Sequence, residues 1–112
     1  MQQRNFTKSD LNLFINTYFR FRSHFIKAYA NTTGHKLAPG YVSAMCSGKK
    51  GISGITGSAL KLFAERHICR VEKIKLMLLE NMSVCQVENS THAISELIAK
   101  GLSDNEIYTE IV

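Results

Sequence analysis

Proline is almost missing from this chain: Pro39 is the single one in 112 residues, so little interrupts helix formation. No apolar run approaches the roughly 20 residues that a membrane span needs. No apolar stretch follows Met1-Gln2-Gln3-Arg4-Asn5, so neither a membrane anchor nor a secretory signal is expected. Cysteine is scarce and odd in number. Cys46, Cys69 and Cys85 cannot all pair within one chain, and their spacings match no zinc pattern such as C-x2-C. They are expected to be reduced thiols of a cytoplasmic protein, packing as small apolar residues. Catalytic signatures are missing too: there is no G-x-S-x-G, no H-E-x-x-H and no Walker glycine loop. His24, His35, His67 and His92 have no ligand spacing between them. Carboxylates are few in the front two-thirds, which leaves little from which to build an acid/base pair. The expectation is therefore no enzyme, no metal and no cofactor.

What remains is a chain with 45% apolar and 21% charged residues. That composition suits one small globular fold rather than a disordered segment. The charge is uneven. Thirteen of the 14 Lys and Arg lie in residues 1–75, against Asp10, Glu65 and Glu72 alone, a balance of +10. In residues 76–112 Lys100 stands against six carboxylates, a balance of −5. Clustered cations gain affinity for a phosphate backbone by releasing its counterions, whatever the base sequence. A basic region that meets nucleic acid, followed by an acidic region with another task, is the reading this asymmetry supports.

Composition and apolar spacing favour helices with little strand evidence; the Tyr18–Arg22 segment also alternates with period two, but its flanks keep helical period. Residues 9–31 place Leu11, Phe14, Ile15, Tyr18, Phe19, Phe25, Ile26 and Tyr29 at helical spacing. Thr7 or Ser9 would cap this helix, Asp10 would favour its first turn, and a break between Arg22 and Ser23 is one alternative. Gly34 would end it, and Pro39 suits the first turn of a short helix over 39–46. Residues 47–51 read as a turn and 52–57 as a loop with Ser53 or Thr56 as a cap. Residues 58–80 read as a long helix carrying Leu60, Phe63, His67, Val71, Ile74 and Leu78 on one side. Residues 81–89 read as a polar linker, Ser90 as the cap of a helix that stops at Gly101, and Ser103-Asp104-Asn105-Glu106 as a capping box.

The stretch Ala30-x-x-x-Gly34, Tyr41-Val42-Ser43, Ser47-Gly48-Lys49-Lys50-Gly51-Ile52-Ser53 and Ala59-Leu60-Lys61-Leu62-Phe63-Ala64 resembles the helix-turn-helix of lambda-repressor-like DNA-binding domains. The resemblance covers residues 26–67. It implies that the helix starting near Pro39 enters the major groove, that Val42 packs this helix into the core, and that the Gly-Lys turn lies against a phosphate. The residues it assigns to DNA are Lys36, Pro39, Gly40, Tyr41, Ser43, Ala44, Lys49 and Lys50. Two departures stand out. The turn between Gly34 and Val42 is longer than the family usually has, and the helix start lacks the Gln, Arg or Asn that reads base edges through paired hydrogen bonds. Phosphate contact and shape readout are therefore expected to dominate.

The expected architecture is all-α: a small helical bundle with a helix-turn-helix (residues 1–80) and an acidic C-terminal helical extension (residues 81–112). The expected function is that of a cytoplasmic DNA-binding transcriptional regulator, specific or semi-specific for its sequence. Its partners would be double-stranded DNA and either a second copy or a protein bound through the extension, with no membrane role. The alternative is a small protein-interaction adaptor or inhibitor with a basic binding face. A third reading, single-strand or RNA binding, rests on the basic-aromatic run at 18–22.

Overall fold

Thr7 opens the first helix. Its hydroxyl accepts the Asp10 N–H at 3.2 Å, and the Asp10 carboxylate accepts the Thr7 N–H at 3.0 Å, a reciprocal capping box. In this computed structural model, which describes residues 6–112, α1 spans Lys8–Phe14. It runs into a π-helical turn, Ile15–Phe19, closed by the Arg20 N–H on the Ile15 carbonyl at 2.7 Å. The chain then breaks at Arg20, whose φ of 72° is the one positive value at a non-glycine residue among those described. Residues 9–31 are therefore two helices, and the break lies at Arg20, ahead of the Arg22–Ser23 point that the spacing suggested. The aromatic residues explain the difference. On one straight helix Phe19 would sit about 140° around from Phe14, at 100° per residue. The extra residue of the π turn and the reversal after it let Phe14, Phe19 and Phe25 meet instead, with ring centroids 5.6–6.1 Å apart. Burying one phenylalanine is worth about 1.5–3 kcal/mol. One non-glycine residue at positive φ costs about 1–2 kcal/mol. The aromatic cluster wins.

The second helix, α2 (Arg22–Thr33), ends at Gly34 in the left-handed conformation, as its place in the sequence predicted. Next comes α3 (Pro39–Ser47), with Pro39 in its first turn, where no N–H partner is needed. It buries Val42, Met45 and Cys46. Gly48 ends it at φ 82°.

The long helix α4 spans Gly54–Leu78, so the expected loop over 52–57 is largely helix. Ser53, not Thr56, is the cap; its hydroxyl accepts the Thr56 N–H at 3.2 Å. One glycine here serves packing. Gly57 is buried, and a Cβ on it would fall 3.3 Å from Ile52 Cγ2. The expected linker over 81–89 holds a short helix, α5 (Val84–Glu88), because Ser83 and Gln86 form a second capping box. The next helix, α6 (Thr91–Ala99), starts without the predicted side-chain cap. Ser90 is buried and its hydroxyl donates to the Val87 carbonyl at 2.6 Å. Gly101 closes α6, with the Leu102 N–H on the Leu97 carbonyl. The last helix, α7 (Asp104–Ile111), begins with the predicted Ser103–Glu106 box.

The architecture is all-α, with no strand among the described residues. The N-terminal half of α4 joins α1, the π turn, α2 and α3 around Phe14, Phe19, Phe25, Val42, Met45 and Phe63. Its C-terminal half meets α5, α6 and α7 around Val71, Ile74, Leu78, Ile94 and Ile107. Polar bonds stitch the acidic extension to the basic part. His67 on α4 hydrogen-bonds Ser95 on α6 at 2.9 Å, and Asn31 on α2 donates to the Ala99 carbonyl. Arg70 grips Asp104 at 2.7 Å and the Leu102 carbonyl at 2.9 Å. Helices as short as α5, α6 and α7 are marginal alone; here they are held by tertiary contacts. No helix among the described residues is long and apolar enough to cross a membrane.

Candidate nucleic-acid interface

The helix α3 is two-faced because Val42, Met45 and Cys46 recur at three- and four-residue spacing and turn inward. The opposite face carries the residues named by the resemblance. Pro39, Gly40 and Ser43 are exposed, while Tyr41 and Ala44 are half-buried. No side chain caps the first turn of α3, where Pro39 has no N–H and the Val42 N–H is bonded to the Ala38 carbonyl at 3.1 Å. Lys36 is exposed in the turn before that first turn.

At the other end, beyond Gly48, Lys49 and Lys50 are both exposed. The Lys50 N–H donates to the Ala44 carbonyl at 3.1 Å, which folds the lysine turn back along α3. The Lys50 ammonium lies 5.0 Å from the centre of the Tyr41 ring. The lysine corner and the exposed face of α3 are thus one surface. Lys36 lies before the opposite end of α3 from Lys49 and Lys50, a helix length of about 13 Å at 1.5 Å per residue.

Two further cations reach α3 from elsewhere. Arg22, at the start of α2, donates from Nη1 to Ser43 Oγ at 3.3 Å. Lys8, at the start of α1, lies across the Gly48 turn; a Cβ on Gly48 would fall 3.3 Å from its Nζ. Neither belonged to the sequence-derived site. Arg22 carried a weak signal as a basic residue among aromatics, on the wet edge of its helix. Lys8 carried none. Asn12 completes the junction by donating to the Cys46 carbonyl at 2.8 Å, which pins the C-terminal end of α3 to α1. Burial pushes the Cys46 thiol above its ordinary value, and the nearby Arg22 guanidinium partly offsets this. Cys69 and Cys85 are exposed.

Of the four histidines, His67 is buried, and burial followed by the Arg70 charge lowers its pKa to about 4. Among the described residues no three His, Cys, Asp or Glu side chains converge to hold a metal ion. Comparison with family models, curated proteins and solved structures found no match for the chain.

Proposed function

We propose that this protein binds duplex DNA through the exposed face of α3, with Lys8, Arg22, Lys49 and Lys50 as phosphate contacts around it, and that it acts as a transcriptional regulator. One observation carries this reading: an exposed short helix shares its surface with four cations drawn from three separate segments. Phosphate contacts set register and orientation, while base edges are read by whatever the helix presents. Here α3 offers Tyr41 and Ser43, so direct readout is thin and shape readout carries more of the discrimination. Arg22 has a double use, since its bond to Ser43 also orients that hydroxyl on the helix face.

The test is fluorescence anisotropy with random duplex DNA over a range of salt. Each phosphate contact contributes a slope of about 0.9 in log K against log salt. Replacing both Lys49 and Lys50 with Ala should flatten the slope by up to about 1.8 and weaken binding by roughly tenfold per lysine near 0.1 M salt. Tyr41→Phe and Ser43→Ala should leave the slope unchanged. Absence of duplex binding at low salt would refute the proposal and favour the adaptor reading. Phe21 is half exposed with the Arg20 guanidinium 5.1 Å from its ring, so a single-stranded competitor belongs in the same experiment.

A further inference from the structure

The inner face of α4 is fully used, but its outer face carries a pattern that the fold leaves uncovered. Ile55, Leu62, Cys69 and Leu76 recur every seven residues along one line, and all four are exposed, Ile55 by 89%, Leu62 by 48% and Leu76 by 68%. A coiled-coil seam carries apolar residues at two positions in every seven, and this line supplies one of the two, with charged residues in the layers between. Beside this line runs a groove of about 590 Å³, lined by Glu65, Ile68, Cys69, Glu72, Lys73 and Leu76. The layers between the apolar residues are charged in an ordered way. Glu65 and Glu72 lie on one flank of the line, and Arg66 and Lys73 lie on the other.

We propose that two copies of the chain pair through α4, parallel and in register about a two-fold axis. The charges select both the occupant and its direction. In a parallel two-fold pair the left flank of one helix faces the right flank of its partner, so Glu65 meets the partner's Arg66 and Glu72 meets the partner's Lys73. An antiparallel pair centred on Cys69 would set Glu65 against the partner's Glu72 and Arg66 against the partner's Lys73. Like charges in direct opposition are unfavourable. The flanks are thus complementary to their own copy in one orientation alone, as a self-matching interface requires. The charged side chains are free to reach: Glu72 and Lys73 are 52% and 70% exposed while bridging to Lys75 and Asp104 within the chain. Each apolar residue of the line then meets its own copy over a helix about 37 Å long at 1.5 Å per residue. This inference does not depend on DNA binding.

Sedimentation of the full chain from a few micromolar to a few hundred micromolar should show the mass doubling with concentration. Leu62→Asp with Leu76→Asp should keep the protein monomeric and fully helical, since both side chains are exposed in the single copy. Glu65→Arg with Glu72→Lys should weaken pairing at least tenfold, and adding Arg66→Glu with Lys73→Glu should restore it. Direction is read by cross-linking. With Cys69 and Cys85 changed to Ser and Leu62→Cys introduced, diamide oxidation should give a covalent dimer, because only the parallel register brings that position against itself. A monomer at all concentrations would overturn the proposal. So would a dimer indifferent to the two Leu→Asp changes, no covalent dimer from the Leu62→Cys variant, or a chain that stays monomeric and uses this face for a different protein.

Discussion

Acidification below about pH 6.5 should destabilise this protein through His67. The ring lies in the core, 4% exposed, stacked on Phe19 at 4.5 Å and facing Phe63 at 5.7 Å. Its Nε2 is bonded to Ser95 Oγ, a hydroxyl with no exposure of its own. An imidazolium there loses its water and meets the Arg70 charge, so the folded pKa falls from 6.5 to about 4. Between those two values the unfolded chain takes a proton that the folded chain refuses. Stability therefore rises with pH across this window: it is fully present above about 6.5 and is lost progressively as pH falls toward 4. At 1.36 kcal/mol per unit the whole loss is about 3 kcal/mol, a large part of the 5–15 kcal/mol typical of a domain. Urea unfolding followed by circular dichroism at pH 7.5 and pH 5 measures about 2 kcal/mol of it. The reference is His67→Gln, which keeps a polar partner for Ser95 and removes the titrating group. At pH 7.5 the variant should be less stable, by about 1–3 kcal/mol for a disturbed buried bond. The wild-type curve should then fall toward it on acidification. Parallel pH profiles for the two proteins would refute the reasoning, because other titrating groups are common to both.

Two further outcomes follow from single residues. Arg20 holds a positive φ that β-branched residues tolerate least, so Arg20→Gly should raise stability by up to about 1 kcal/mol and Arg20→Val should lower it by a similar amount; thermal melts of the three proteins should rank Gly above Arg above Val. Lys75 is buried with its ammonium 3.6 Å from both Glu72 and Glu88, whose side chains remain in water. Removing a buried charge together with its bridges is commonly neutral or favourable when an apolar side chain of similar volume replaces it, so Lys75→Met should be neutral or stabilising by about 1–2 kcal/mol in urea unfolding; a loss of 3 kcal/mol or more would show that the bridges hold α5 in place.

Much of the fold was legible because its signals are local. The Ser103–Glu106 box, Pro39 at the start of α3, and Gly34 and Gly101 at helix ends each act within a few residues of themselves. The inward side of α4 could be read from spacing alone. The misread places have different causes. Ser53 and the glycines after it look like a loop until Ile52 and Phe6 are seen packed against Gly57, and Ser83 with Gln86 hides a helix inside a polar stretch. The exposed face of α3 was legible as the complement of Val42, Met45 and Cys46. The cations that gather around it from α1 and α2 were not.

The amino-acid order by itself determined the helical class, most helix ends and the basic and acidic halves, since propensity, capping and charge are properties of neighbours along the chain. Only the tertiary structure decided that the first amphipathic stretch turns at Arg20, that Lys8 and Arg22 reach α3, and that α4 keeps an uncovered line of apolar residues. Each depends on side chains far apart in sequence competing for the same core, and hydrophobic burial has no direction along the chain to announce which of them will meet.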